Sequence, residues 1–212
     1  LDVPIIMDAT VEQVDGYRFI YVLPLDDRTV LIEDTYFHDS PVLPAEDARQ
    51  RIHGYAATRG WSISTMRREE HGVLPMPWAE AHRPDPSGTL VAGYRGGWFH
   101  PGTGYSLPVA VRLATFVAKR PADVLFGPDL DAFERQHRAQ ARFARFLNRL
   151  MFRWYPPGAR RAIFERFYRL PQDTIERFYA LRLRPIDRLR LLGGRPPRGL
   201  SVRHRLAAGV DR

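Results

Sequence analysis

Two adjacent carboxylates, Glu33 and Asp34, stand near the end of a β-branched and aromatic segment at residues 29–37. Neighbouring side chains on a strand point to opposite faces, so at most one of the two can face a cavity on a sheet. A carboxyl group in an apolar cavity stays protonated near neutral pH and can act as a general acid. The alternative is that both acids end a strand in solvent.

A glycine-rich turn over residues 93–105 is the second candidate. Its glycines let the backbone approach a ligand closely, and a helix that begins near Tyr105 offers free N–H groups. Such a turn suits an anionic or electron-rich cofactor, and the alternative is a plain strand-to-helix connection. A complete Gly-x-Gly-x-x-Gly fingerprint is absent from the sequence, because Leu107 stands where the third glycine would be.

A basic amphipathic helix is predicted over residues 131–155. Its apolar stripe is Phe143, Phe146, Leu147, Leu150, Met151 and Trp154, and its basic positions are Arg138, Arg142, Arg145, Arg149 and Arg153. Such a helix can lie in a membrane interface, or it can pack the stripe on a core with the arginines in water. Nucleic-acid binding is disfavoured, because no helix-turn-helix, RNA-binding sheet motif or zinc module accompanies the charge.

The sequence lacks the residues that several other kinds of site require. The absence of Cys excludes disulfides, thiolate zinc sites and Cys nucleophiles. The seven His residues show no metal-ligand spacing, so no metal site is predicted, and no Gly-x-Ser-x-Gly elbow supports Ser-His-Asp catalysis. Lys and Arg number 12 against 17 Asp and Glu through Leu130 but 20 against 7 after it, so the two parts are expected to face different partners.

The elements that must position these residues are strands first and helices last. Residues 17–25 and 29–37 predict a hairpin, residues 45–59 a helix, residues 62–77 a strand-like run and residues 89–93 a short strand. This order predicts an α+β fold, or a mixed α/β remnant. Because the sequence opens without Met or a leader, we expect a processed or truncated piece.

Several blocks of the sequence together resemble the bacterial lycopene β-cyclase family. They are IMDATV, DGYRFIYVLPL, LIEDTY, REE with GVLP, HPGTGYSLP, and FYRLP with ERFY, and they occur in that order along the chain. The resemblance implies a FAD-dependent fold of the glutathione-reductase type, of which this chain lacks the N-terminal dinucleotide-binding βαβ. It also implies four regions: 1–88 is a substrate-binding β-sheet region with one helix, 89–122 a flavin-facing strand, glycine turn and helix, 123–200 a helical C-terminal region, and 201–212 a tail.

The activity that the resemblance implies is the acid-catalysed closure of the linear ψ-ends of lycopene to β-rings, giving γ- or β-carotene. The enzyme would be an intramolecular lyase or isomerase that uses reduced FAD with NAD(P)H as reductant, without net redox change. The motif LIEDT makes Glu33 the expected proton donor and Asp34 its supporting carboxylate. The residues expected at the flavin are Gly93, Gly96, Gly97, His100, Pro101, Thr103, Gly104 and Tyr105.

The carotenoid substrate dissolves only in a bilayer, so the resemblance favours a cytoplasmic protein held at the membrane surface through helix 131–155, without a nucleic-acid partner. Trp98, Phe99 and Tyr105 are expected either to stabilise a cation or to pack in the core. Two alternatives stay open: another FAD-dependent lipid or isoprenoid enzyme, such as an oxygenase or prenyl reductase, and a non-catalytic piece that binds a membrane surface. The 212 residues by themselves are expected to bind FAD poorly or to be inactive.

Overall fold

A computed structural model describes residues 3–42, 44–80 and 89–193 of the chain. The described residues form two compact units: one comprises those through Val73 together with Pro156–Ile163, and the other comprises those from Leu74 to Tyr155 and from Phe164 to Gly193. The domain limits expected at residues 88, 122 and 200 describe functional regions and stay a prediction. The expected tail at 201–212 lies outside the described residues.

The first unit is built on a three-stranded antiparallel sheet in the order β1-β2-β3. Strand β1 spans Ile5–Asp8, β2 spans Gly16–Pro24 and β3 spans Val30–His38. Strands β2 and β3 pair continuously from Gly16 opposite His38 to Pro24 opposite Val30. The predicted hairpin is therefore confirmed, with a polar turn in which the N–H of Leu25 donates to the carbonyl of Thr29 at 2.8 Å.

Helix α1, Ala45–Thr58, forms where the sequence predicts a helix, and it supplies the residue that completes the core of this unit. Ile20 and Val22 of β2 are completely buried and pack with Tyr55 of the helix. Glu46 and Asp47 occupy the first turn of α1, where the positive end of the helix dipole favours carboxylates. The even-numbered residues of β2 thus face the core beneath α1.

The second unit consists of helices. They are α2 (Leu107–Ala118), α3 (Ala122–Leu125), α4 (Pro128–Arg149), α6 (Gln172–Tyr179) and α7 (Pro185–Leu192), and the later part of α5 (Arg160–Phe167) belongs with them. One π-helical turn, Leu150–Trp154, continues α4, and a short 3₁₀ turn, Pro157–Ala159, precedes α5. The core of the unit contains Trp98, Val109, Leu113, Ala144 and Leu181.

The two strands expected at 62–77 and 89–93 do not form. In both ranges the described backbone is irregular or turning and joins no sheet. Pro75 and Pro77 lack the N–H that a ladder requires, and a strand also needs a partner whose position local sequence does not reveal. With helices and one small antiparallel sheet among the described residues, the chain is nevertheless α+β, as predicted.

Helix α4 buries a different stripe from the one its sequence suggested. Its most buried residues are Leu130, His137, Ala141, Ala144 and Asn148. The bulky stripe is only partly buried: Phe146 remains 37% exposed, and Trp154, in the following turn, 43% exposed. Small residues at the buried positions let the helix approach Trp98 closely, and this gain outweighs the burial of the larger side chains.

Candidate active site

The adjacent acids project from opposite faces of β3, and only Asp34 is enclosed. The side chain of Asp34 is 1% exposed and forms a two-pronged ion pair with Arg18 of β2. The Arg18 Nε and Nη2 atoms donate to the two carboxylate oxygens at 2.8 and 3.1 Å, and the hydroxyl of Tyr36 donates to Oδ2 at 2.5 Å. Asp34 therefore has a fixed position and three donors, which suits a supporting charge rather than a proton donor.

The ion pair extends into a small network. Arg18 Nη1 donates to the carbonyl of Glu12 at 3.0 Å, and Arg51 Nη1 donates to the Tyr36 hydroxyl at 3.2 Å. Burial opposes the charge of Arg18, but Asp34 outweighs this effect and raises the pKa of the guanidinium. Burial, and then the hydrogen bond to Asp34, raise the pKa of Tyr36. The network therefore keeps Tyr36 a hydroxyl donor and Arg18 a cation.

Glu33 stands on the opposite face and is exposed within its unit. Its carboxylate accepts a hydrogen bond from the Thr35 hydroxyl at 2.7 Å, and Tyr21 lies directly opposite it in the ladder. The same face carries Tyr17, Phe19 and Phe37, whose rings contact one another. An acid at the open end of an aromatic face is suited to protonating an apolar, electron-rich substrate.

The glycine segment of the second unit forms two successive closed turns. The N–H of Trp98 donates to the carbonyl of Gly93 at 2.9 Å, and the N–H of Gly104 donates to the carbonyl of His100 at 2.9 Å. A Cβ at Gly96 would lie 1.7 Å from the carbonyl oxygen of Val91, so only glycine can occupy that position. The predicted turn is confirmed, although the strand expected before it is not formed.

The aromatic residues of this segment differ in how far they are buried. Trp98 is 2% exposed and stacks on His137 and Phe133, with ring centroids 4.6 and 5.4 Å away. Phe99 is buried and stacks on Tyr94 at 4.4 Å. Trp98 and Phe99 therefore pack in the core, which was one of the two roles expected for them, whereas Tyr105 is 43% exposed.

His100 is completely buried, and its ring faces the interior of the second unit. Its Nδ1 accepts the N–H of Gly102 at 3.0 Å, and its ring packs on Phe178 with centroids 4.6 Å apart. Burial lowers the pKa of His100 to about 4, although the carbonyl of Phe178 acts in the opposite direction. The imidazole is therefore neutral at physiological pH and holds the turn closed, with its ring turned away from the surface.

Helix α4 holds the glycine segment through two polar side chains that sequence reasoning overlooked. His137 Nε2 lies 2.8 Å from the carbonyl oxygen of Gly97. Asn148 Nδ2 donates to the carbonyls of Pro101 and Pro77 at 2.8 and 2.9 Å. The available signal was the spacing of His137, Ala141, Ala144 and Asn148, which lie three and four residues apart on one helix face.

The first turn of α2 has backbone N–H groups that could donate hydrogen bonds to a ligand. Its N-cap residue, Ser106, makes no side-chain capping bond, and its first turn contains no acid. Within the described part of the chain the N–H groups of Ser106 and Leu107 have no hydrogen-bond partner. Beside the half-buried Gly102 and Thr103, these donors could receive an anionic or electron-rich group.

Residues 3–42, 44–80 and 89–193 contain neither a metal-binding cluster nor a membrane-spanning helix. No group of three or more His, Asp or Glu side chains there is arranged to hold a metal ion. None of the helices in these ranges combines the length and apolarity needed to cross a bilayer.

Comparison with known proteins identifies relatives along nearly the whole chain. The family model described as "Lycopene cyclase protein" matches residues 1–204. The lycopene beta-cyclase of Pantoea ananas is 44% identical over 209 residues, covering 93% of this chain and 53% of the relative. That of Pseudescherichia vulneris is 43% identical over 212 residues, covering 98% of this chain and 55% of the relative.

A third relative, the lycopene beta-cyclase of a Paracoccus species, is 44% identical and covers 92% of this chain and 52% of its own length. The chain thus spans about half the length of the curated relatives that it matches. No solved structure matches it.

Proposed function

The chain belongs to the lycopene cyclase family, and on that premise we propose that it supplies the acid-bearing part of a lycopene β-cyclase. The observation that carries the proposal is the position of Glu33, which stands at the open end of an aromatic sheet face within the motif LIEDT. The names of the relatives support the substrate, a linear carotenoid.

The reaction assigned to this site is an isomerisation. Glu33 gives a proton to a terminal double bond of lycopene, and the next double bond attacks the resulting tertiary cation to form the ring bond. The ring then gives a proton to the Glu33 carboxylate, so that the acid is restored and the product has the composition of the substrate. Asp34, held by Arg18 and Tyr36 behind the strand, keeps the backbone at Glu33 in position.

The proposed cofactor is reduced FAD, with NAD(P)H as the reductant. The residues present fit the electron-rich ring of a flavin in one respect: the Ser106 and Leu107 N–H groups are unpaired, and no carboxylate opposes them in the first turn of α2. Gly93, Gly96, Gly97, His100, Pro101, Thr103, Gly104 and Tyr105 would form the turn around it. A bound reduced flavin supplies negative charge that favours a nearby cation. His100 and Asn148 keep the turn in shape from within.

Two properties support a membrane-surface location: the carotenoid substrate dissolves in a bilayer, and α4 exposes arginines beside apolar side chains. The arginines at 138, 142, 149 and 153 are exposed beside the partly exposed apolar side chains at 146 and 154. Anionic headgroups attract such arginines, while the aromatic side chains enter the boundary of the acyl chains. We therefore propose that the protein acts in the cytoplasm, on the face of the membrane that holds its carotenoid.

The decisive experiment joins this chain to the part of the Pantoea ananas relative that it does not match and expresses the chimera in cells that make lycopene. The unchanged chimera should yield γ- or β-carotene on chromatography. Glu33→Gln should lower cyclisation by roughly 100-fold or more, because the amide cannot donate the proton. Asp27→Asn, which alters an exposed acid in the turn of the same hairpin, is the matched control and should cyclise normally.

The outcomes separate the possible functions. Normal β-carotene formation by Glu33→Gln would contradict the proton-donor role. Oxygen uptake or hydride incorporation coupled to a carotenoid product would indicate an oxygenase or a reductase instead.

A further inference from the structure

The face of β2 and β3 that carries Glu33 is an aromatic row. The rings of Tyr17 and Phe19 lie 5.4 Å apart, and Phe19 meets Tyr21 edge-to-face at 5.1 Å and 89°. Phe37 of β3 adds to the row, with its ring 6.0 Å from those of Tyr17 and Phe19. Four aromatic side chains thus line one face of a two-stranded ribbon.

The register places one ring of this row beside the acid. Tyr21 lies directly opposite Glu33, and directly opposite residues share a face with Cβ atoms about 4.5–5.5 Å apart. Tyr17 and Phe19 are 3% and 2% exposed, whereas Tyr21 is half-buried and Glu33 is exposed. Tyr21 is therefore the ring at the boundary between the buried row and the open surface at the acid.

Charge distinguishes this face from the other face of the ribbon. On the other face, the guanidinium of Arg18 lies over the Tyr36 ring at 5.7 Å. By strand alternation, the residues of β2 and β3 on the Glu33 face are Tyr17, Phe19, Tyr21, Leu23, Leu31, Glu33, Thr35 and Phe37. None of these is Lys or Arg, so the strands place no fixed cation on this face.

A cation formed beside Glu33 needs stabilisation that does not react with it. Water or a second carboxylate would add to a tertiary cation and end the reaction. An aromatic face instead attracts positive charge through its quadrupole without forming a bond. The attraction is strongest where solvent is excluded, as it would be at the half-buried Tyr21 once an apolar substrate covers it.

We propose that Tyr21 is a catalytic residue whose ring stabilises the cation produced when Glu33 protonates the substrate, and that Phe19 positions it. The proton lost by Glu33 is the one that the double bond gains, and ring closure moves the charge along the carbon chain. Transfer of a ring proton to the Glu33 carboxylate ends the cation and restores the acid. The inference rests on the proposed cyclase function and adds a second group to its site.

The test uses the chimera described above, with cyclisation rates measured at saturating lycopene in vesicles. Tyr21→Phe keeps the ring face and should retain the rate within about threefold, whereas Tyr21→Leu should lose roughly tenfold or more. Incorporation of mono-, di- and trifluorinated phenylalanine at position 21 should lower the rate stepwise, because each fluorine weakens the quadrupole while the ring volume is nearly constant. The same series at Phe126, an exposed ring after α3, is the control and should have no effect.

Fluorination separates a chemical role from a packing role even where Tyr21→Leu folds poorly. A flat rate across the fluorinated series, or a loss in Tyr21→Phe as large as in Tyr21→Leu, would overturn the role of the ring while leaving the cyclase function intact. A fully active Glu33→Gln chimera would instead overturn the proposed function, and the role of Tyr21 with it.

Discussion

Buried titratable groups in this chain show how a local environment sets the chemistry of one side chain. Asp34 and His100 are both enclosed, yet Asp34 is paired with a cation whereas burial keeps the His100 imidazole neutral. A charge removed from water must be paired or lost. The same rule accounts for the ion pair of Asp34 and for the neutral imidazole of His100.

The neutral state of His100 predicts a pH-dependent stability. Its folded pKa is about 4, below the ordinary value of 6.5, so the unfolded chain binds the proton more readily. Stability should therefore fall as the pH drops from about 6.5 to about 4, by about 3 kcal/mol for this group. The free energy of unfolding, measured by denaturant titration across that range, should show the loss, and His100→Gln should remove this component.

His53→Gln is the matched control, because His53 lies on the exposed side of α1. The control should retain the pH dependence of the unchanged chain. Equal slopes for the unchanged chain and His100→Gln would show that His100 is not the group responsible.

At the scale of elements, α4 combines three faces on one helix. One face, with His137, Ala144 and Asn148, is buried against the glycine segment and the core. A second face is apolar and partly exposed, and a third carries the arginines. The helix can therefore position the turn from within while presenting charged and apolar side chains outward.

This arrangement predicts membrane binding with two separable components. Replacing Arg142 and Arg149 together by Gln should weaken binding to anionic vesicles by roughly tenfold or more, an effect that disappears at high salt. Phe146→Ser should weaken binding at every salt concentration, because it removes apolar contact rather than charge. Vesicle co-sedimentation across a salt series measures both effects.

Replacement of the exposed Arg67 and Arg68 by Gln is the matched control for charge, because it removes the same charge from the first unit. If the two double variants weaken binding equally, net charge rather than α4 determines attachment to the membrane.

At the scale of the whole molecule, the chain returns to its first unit after passing through the second. Residues 156–163 belong to the first unit, where the 3₁₀ turn packs against β2, and Arg160 is completely buried there. Its Nη1 donates to the carbonyl of Phe37 at 2.9 Å, and its Nη2 donates to Asp39 at 2.5 Å. A basic residue from the helical half of the sequence therefore completes the end of the hairpin that carries the acids.

Arg160→Leu should destabilise the first unit by roughly 1–3 kcal/mol, because the part-buried carbonyl of Phe37 and the half-exposed carboxylate of Asp39 lose this donor. Hydrogen exchange should show faster exchange in β2 and β3, where the lost contacts lie. Arg67→Leu, an exposed change in the same unit, should leave these strands protected. Unchanged protection in Arg160→Leu would contradict the role of Arg160 in the sheet.

The sequence by itself determined the features that depend on neighbours along the chain. The hairpin, helix α1, the glycine turn and the placement of Glu33 and Asp34 on opposite faces follow from turn chemistry and from the two-residue period of a strand. The family relationship also lies in ordered local motifs. These features require no knowledge of which distant segments meet.

Only the tertiary structure decided the features that need a distant partner. It paired Asp34 with Arg18, turned His100 inward onto Phe178 and left residues 62–77 without a ladder. It also selected the small and polar stripe of α4 for burial, because close approach of the helix to Trp98 outweighs the size of each apolar side chain. Which side chains are buried depends on how whole surfaces fit together, and the local periodicity of a sequence does not contain that information.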